Sequence, residues 1–245
     1  MKAVILAAGA ARRLAPMINS TPKCLIKIRD KSLLEKQLDA LQFYGIEETL
    51  IVVGYLKEQI IEKIGNRYKT MNISYVENPL FGSTNTVYSL WLAREYFANQ
   101  DFLYFNADVL FHHSLIGRLL EAPHETAMGV EVKHCGEEEV KVIVDDKQRI
   151  RRIGKKINPA DCLGEFVGIA KFGASLTADL INALKAVIDE GQQMSFFEAA
   201  VDRILDRHAL YAVDISQIPV IEIDFPEDLE RARQQIYPKI VNFNG

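Results

Sequence analysis

Short apolar, β-branched runs alternate along the first half of the chain with stretches whose apolar positions recur at helical spacing, the pattern of βαβ units around a parallel sheet. Ala3 to Leu6 is the first strand. Ser32 then heads a helix burying Leu33, Leu34, Leu38 and Leu41, with Glu35 three residues on as a capping box and Gly45 as the stop. Thr49 to Val53 is a second strand, and Leu56 to Ile64 a second helix closed by Gly65-Asn66. Asn72 to Val76 is a third strand, and Thr84 to Ala98 reads as one long amphipathic helix leading to a fourth strand, Phe102 to Phe105. After Asp108 the rhythm changes. Ala127 to Val132, Val140 to Val144 and Phe166 to Lys171 follow one another without strong helices between them, which points to antiparallel or mixed additions to the sheet. His112-His113 read as the start of a helix. Further helices are expected at Thr177 to Glu190 and Met194 to Arg207, then strands at Leu210 to Asp214 and Val220 to Ile223 and a last helix, Phe225 to Ile236. No linker, repeat or low-complexity tract interrupts residues 1–245, so a single α/β domain is expected.

Composition narrows the partners rather than the fold. With 29 Lys+Arg against 33 Asp+Glu the net charge is −4, and no long basic run offers a footprint for nucleic acid or an anionic membrane. The five cations between Arg149 and Lys156 read as a solvated strand and loop. No apolar run approaches the roughly 18–20 residues that a spanning helix needs. Lys2 followed by Ala3 to Ala11 has the form of a short secretion signal. Because Arg12 and Arg13 follow directly, a buried strand entering a small-residue loop is the more economical reading. Cys24, Cys135 and Cys162 are odd in number, with no Cys-x-x-Cys spacing, which argues against a disulfide framework or zinc site and fits a reducing, cytoplasmic location. Homo-oligomerisation stays open.

In an open parallel sheet, ligands bind outside the carboxyl ends of the strands. Here those ends carry Ala7-Ala8-Gly9-Ala10-Ala11, Gly54-Tyr55, Glu77-Asn78-Pro79 and Asn106-Ala107-Asp108. Small side chains let backbone N–H groups approach an anion, and Arg12, Arg13 and Lys23 place cations near the first loop. This is the composition of a phosphate site, although neither a Walker loop nor a dinucleotide Gly-x-Gly-x-x-Gly is present. A tight turn packed with small residues is the alternative for Ala7 to Ala11 taken alone.

The whole segment Leu6-Ala7-Ala8-Gly9-x-x-x-Arg13-Leu14, followed by Pro22-Lys23, resembles the nucleotidyltransferases that make activated sugars and alcohols from an NTP and a phosphate ester. Ala11 stands where many members have a second Gly. Asn106-Ala107-Asp108 resembles the family's first metal aspartate, Gly164-Glu165-Phe166-Val167-Gly168 its substrate-side loop, and Glu222-Ile223-Asp224 its second metal aspartate. The resemblance implies a Rossmann-like (GT-A-like) α/β fold, with a mixed, mainly parallel sheet flanked by helices. It also implies that Leu6, Ala7, Ala8, Gly9, Arg13 and Lys23 hold the nucleotide. Such chemistry sets an anionic oxygen against an anionic phosphorus, so cations must gather there. Asp108 and Asp224 are the candidates for Mg²⁺, Lys23 for the α-phosphate transition state and Arg13 for the departing β/γ-phosphates. Strand-end capping for Asp108 and helix N-capping for Asp224 are the alternatives.

The stretch Asn78-Pro79-x-x-Gly82-Ser83 can read the base, and Asn85-x-x-Tyr88-Ser89-Leu90 looks like the branch that uses CTP with phosphocholine, aminoalkyl phosphonates or inositol phosphate. Turn and helix-terminal roles remain open for Asn78 and Asn85, and core packing for Tyr88 and Trp91. Lys155 is a candidate for the acceptor phosphate and Glu165 for a hydroxyl or ammonium group. The expected activity is therefore a Mg²⁺-dependent cytidylyltransferase, taking CTP and a small phosphorylated or phosphonate acceptor to a CMP-linked product and pyrophosphate. A sugar-1-phosphate enzyme using UTP, GTP or dTTP and a catalytically silent regulatory subunit are the alternatives.

Overall fold

The computed structural model describes residues 1–10, 13, 14 and 21–243; Ala11 and Arg12 of the first loop lie outside them. At the centre is β1 (Lys2–Ala7), which lies parallel to a strand on each side. A strand covered on both faces divides its side chains by parity. Val4 and Leu6 enter one core, and Ala3, Ile5 and Ala7 the other.

The hairpin of β2 (Lys27–Ile28) and β3 (Lys31–Ser32) leads into α1 (Leu33–Phe43). The expected capping box is present: Glu35 N donates to Ser32 Oγ at 3.2 Å, and Ser32 N donates to Glu35 Oε2 at 2.9 Å. β4 (Glu48–Val53), α2 (Lys57–Ile64) and the short β5 (Arg67–Tyr68) precede β6 (Met71–Glu77). β4 pairs in parallel with both β1 and β6, while β5 runs antiparallel at the edge. The long helix expected over Thr84 to Ala98 is divided into α3 (Thr86–Leu92) and α4 (Arg94–Phe97). At the break the Arg94 guanidinium lies 4.0 Å over the Trp91 ring and donates to the Trp91 carbonyl, competing for a backbone acceptor.

β7 (Phe102–Asn106) takes the other side of β1, so its Phe102 and Tyr104 join Val4 while Leu103 and Phe105 join Ile5. After it come β8 (Val109–Phe111), α5 (Ser114–Glu121), β9 (Ala127–Glu131), β10 (Lys141–Val144), β11 (Ile150–Gly154) and β12 (Gly164–Phe172). The expected substrate-side loop Gly164 to Gly168 is the first half of β12, which runs antiparallel to β7, β9 and β10. Its register against β9 shifts between Phe166 and Ala170, around Gly168 at φ +75°. A Cβ there would stand 2.5 Å from the Asn106 amide, so only glycine lets β12 lie this close to the end of β7.

The remaining elements are α6 (Thr177–Asp189), α7 (Glu198–Asp202), β13 (Tyr211–Asp214), β14 (Val220–Glu222), α8 (Pro226–Arg231) and α9 (Tyr237–Val241). Of the helix expected over Met194 to Arg207, only α7 is α-helical; turns follow it while the Asp202 carboxylate accepts from Ile153 N and Arg152. The last helix runs past Ile236 through a π turn at Ala232–Ile236, next to Pro238, which has no N–H to give to the ladder. The main sheet has the order β11-β10-β12-β7-β1-β4-β6-β5, with β9 on β12 and β13 on β9. α3, α6 and α7 cover one face and α1, α2 and α5 the other. A smaller cluster of Leu14, Ile28, Leu110, Ile221, Ile223 and Leu229 ties the antiparallel β8–β14 pair to the C-terminal helices. No helix of the described residues is long and apolar enough to cross a membrane.

Candidate active site

The carboxyl ends of β1 and β7 open onto a cleft of about 860 Å³. Leu6, Ala7, Ala8 and Gly9 line it from β1, and Asn106, Ala107 and Asp108 from β7. The Cβ positions explain the small residues: one on Gly54 would meet Phe81 Cβ at 2.8 Å and the Ala8 carbonyl at 2.9 Å, whereas Gly9 faces open space. Lys23 enters from a single 3₁₀ turn, Lys23–Leu25, after Pro22. Asp224 arrives from the far end of the chain because β14 pairs with β8 in the register Glu222↔Val109, and Ile223 N donates to the Asp108 carbonyl.

These elements converge on one cluster. Lys23 Nζ donates to Asp108 Oδ2 at 2.8 Å and to Asp224 Oδ1 at 2.5 Å, the latter across 201 residues of sequence. Burial works against the Lys23 ammonium, but the two carboxylates outweigh it and hold it well above the ordinary lysine range. Asp108 Oδ1 is buried and makes no hydrogen bond among the described residues, and Oδ2 accepts from Lys23, so Asp108 is not seen capping a turn there. Nor does Asp224 cap the last helix: Phe225 holds that position, and the Asp228 carboxylate accepts from the Phe225 and Asp224 N–H groups.

Glu222 completes the cluster, with ligand atoms of Asp108, Glu222 and Asp224 all within 4.8 Å of one another. Burial first, then the Asp108 and Asp224 carboxylates, pushes the Glu222 carboxyl well above the ordinary range, and Lys23 draws it back. Glu222 stands in the Glu222-Ile223-Asp224 segment, of which only Asp224 is expected at the metal. The signal was available, because two residues apart on an extended chain means the same face as Asp224.

Arg13 and Lys155 both face the cleft and share one partner, Glu138, whose Oε2 lies 3.6 Å from Arg13 and 3.8 Å from Lys155. Lys155 thus lines the cleft, in contrast to the solvated surface expected for the Arg149 to Lys156 stretch as a whole. Glu165 also lines the cleft, but its carboxylate is already held by Lys133 at 2.5 Å, a residue that no motif or spacing marks out. Asn78 is 1% exposed and spends its amide on the loop: Nδ2 donates to Thr84 Oγ1 and Ser89 Oγ, and Oδ1 accepts from Leu80 N. Asn85 caps α3 and lines the cleft. Gly82 and Ser83 sit in the exposed turn outside it, and Tyr88 packs against the core beside Trp91, so the structure does not bring these three to the site.

One more carboxylate lines the cleft, Glu198, at the first position of α7 and 3% exposed. Burial pushes it up to about 7; its own backbone N–H and Lys155 oppose this only in part. The folded protein thus keeps a proton that the unfolded chain releases above its ordinary value of 4.5. Stability from this group is complete below pH 4.5 and is lost as pH rises through 7. Glu198→Gln is expected to remove that decline and to stabilise the free protein at pH 8 by on the order of 3 kcal/mol. Thermal unfolding of both proteins across this pH range measures it, and parallel profiles would refute the assignment.

A family model described as the MobA-like NTP transferase domain matches residues 3–203. Over 97% of its length the chain is 30% identical to a CMP-5'-(3-aminopropyl)phosphonate synthase of Streptomyces rubellomurinus, of which it spans only 39%. It is 26% identical to a CTP:phosphoglutamine cytidylyltransferase of Campylobacter jejuni, with 94% of this chain and 98% of that protein covered. Among solved structures, CTP:phosphocholine cytidylyltransferase from Streptococcus pneumoniae superposes with a TM-score of 0.76 at 24% identity, over 95% of this chain and 97% of that one. Matched over most of its length, the chain belongs to the MobA-like NTP transferase domain family.

Proposed function

We propose that the protein is a Mg²⁺-dependent cytidylyltransferase that transfers CMP from CTP to a small phosphorylated or phosphonate alcohol or amine and releases pyrophosphate. The observation that carries this reading is Lys23 drawn between Asp108 and Asp224 beside the Ala7-Ala8-Gly9 loop. The relatives named for CTP-dependent transfer to phospho- and phosphono-compounds support the choice of nucleotide and acceptor class. Three free thiols suit a cytoplasmic setting.

The donor set fits a hard divalent cation: three carboxylates gather their oxygens, and Asp108 Oδ1 is buried without a partner. Asp108 and Asp224, with Glu222 beside them, would hold the ion, which supplies charge neutralisation at the phosphates. The chain's own groups do the rest. Backbone N–H groups of the first loop bind the phosphates, and Lys23 offsets charge on the α-phosphate as the acceptor oxygen–phosphorus bond forms and the α–β bridging bond breaks. Arg13 receives the departing pyrophosphate, and Lys155 orients the acceptor phosphate. No general base is required, because the attacking oxygen is already ionised at neutral pH.

Pyrophosphate release measured with CTP, UTP, GTP, ATP and dTTP, each with aminoalkyl phosphonates, phosphocholine and glucose-1-phosphate, tests the reading. Turnover confined to CTP with the phospho- or phosphono-acceptors is expected. Turnover confined to UTP, GTP or dTTP with the sugar phosphate would establish the sugar-nucleotide alternative, and no release with any pair would leave the regulatory one.

A further inference from the structure

Among the described residues, six buried side-chain polar atoms have no hydrogen-bond partner. Two of them are carboxylate oxygens, Asp108 Oδ1 and Glu198 Oε2, and both residues line the cleft. Asp108 belongs to the acidic cluster already described. Glu198 stands apart from it, next in sequence to the Phe196-Phe197 pair, with Lys155 as the cation that acts on it. Lys155 makes no ion pair with it; its ammonium lies 4.5 Å over the Phe196 ring and 3.8 Å from Glu138. A buried carboxylate oxygen left without a donor is costly, and a site keeps such a group when a ligand supplies the missing N–H.

A protein recognises a positive charge on a small acceptor either with open aromatic faces or with an acceptor oxygen. Each aromatic ring that lines this cleft among the described residues already meets a cation or a second ring, although Phe196 and Phe225 stay 38% and 40% exposed. Lys155 covers Phe196, Arg13 lies 4.8 Å over Phe225, Phe81 packs edge-on against Tyr55, and Phe166 is 2% exposed with its ring against Phe197. A quaternary ammonium has no N–H and would leave Glu198 Oε2 unpaired behind three methyl groups. A protonated primary amine donates to it directly.

We propose that the acceptor carries an ammonium group with N–H donors that Glu198 receives, and that the site discriminates against the quaternary ammonium of the same chain length. The inference rests on the cytidylyltransferase reading above and chooses between the aminoalkyl phosphonate and phosphocholine acceptors named among the relatives.

The test is steady-state pyrophosphate release from CTP and Mg²⁺ by the full chain. The acceptors are 2-aminoethylphosphonate and 3-aminopropylphosphonate, the N,N,N-trimethyl counterpart of each, and ethylphosphonate, which has no nitrogen. The amines are expected to exceed their trimethyl counterparts at least about tenfold in kcat/KM, the discrimination that a hydrogen bond to a buried charged group supplies. Glu198→Gln, which breaks no ion pair, should shrink that ratio below about threefold, chiefly by raising KM for the amines, and Glu198→Asp should restore part of it. Parity of amine and trimethyl acceptors in the wild-type protein overturns the inference and leaves CMP transfer standing. So does an equal loss in Glu198→Gln for every acceptor, ethylphosphonate included. No release from CTP with any acceptor overturns both.

Discussion

Asp108→Asn is expected to lower CMP transfer by about 10³-fold, equivalent to about 4 kcal/mol of transition-state stabilisation, while the fold survives. The survival follows from geometry. Asparagine keeps the shape of the side chain, and Lys23 retains its 2.5 Å contact with Asp224. What is lost is the charge beside a buried oxygen, Asp108 Oδ1, that nothing among the described residues satisfies. Calorimetric titration of Mn²⁺ in the presence of CTP gives a readout separate from turnover, and the variant should bind the ion at least about tenfold more weakly. Unchanged turnover and unchanged Mn²⁺ binding together would remove Asp108 from the metal site.

Lys23→Met should be damaging in two separable ways. Turnover is expected to fall by about 10²–10³-fold, the range associated with losing one positioned charge at a developing anion. The free protein should also lose about 3–5 kcal/mol of stability, because the substitution strips the cation from a site where Asp108, Glu222 and Asp224 crowd within 4.8 Å. For a chain of this size that corresponds to a fall in Tm of roughly 6–20 °C. Millimolar Mg²⁺ should recover part of the lost Tm, since an ion bound only by the folded state stabilises it, but should not restore turnover. A variant with wild-type Tm in EDTA would show that Lys23 does not balance the acidic cluster.

Local pattern made most of the nucleotide-binding half legible. β1, β4 and β7 are apolar because each is buried on both faces, β6 alternates because Met71 and Ile73 are buried while Asn72 and Ser74 are exposed, and α1 announces its start through Ser32 and Glu35 and its end through Gly45 at φ +69°. The misjudged elements are those whose limits are set by side chains from elsewhere. Arg94 turning back on Trp91 breaks a helix that periodicity alone would continue, and α7 ends at Asp202, whose carboxylate accepts from Ile153 N. Gly164 to Gly168 is rich in glycine and reads as a loop, yet the glycines serve close strand approach: a Cβ on Gly164 would run into the Glu131 carbonyl. Gly82, Ser83 and Tyr88 carry plausible chemistry, but which way a residue faces is decided in three dimensions: Tyr88 packs against the core, and Gly82 and Ser83 stand exposed in a turn that does not line the cleft.

The sequence by itself determined the parallel core, the small-residue loop after β1 and the residue types that phosphate chemistry needs, because helical and strand periods and loop chemistry are local properties. Only the tertiary structure decided that Lys23, Asp108 and Asp224 touch, that Glu222 joins them and that Glu198 stands unpaired in the same cleft. The physical reason is long-range pairing. The antiparallel β8–β14 contact returns the C-terminal segment to the end of β7, and neither that register nor the burial that perturbs Glu222 and Glu198 is written in any short stretch of chain.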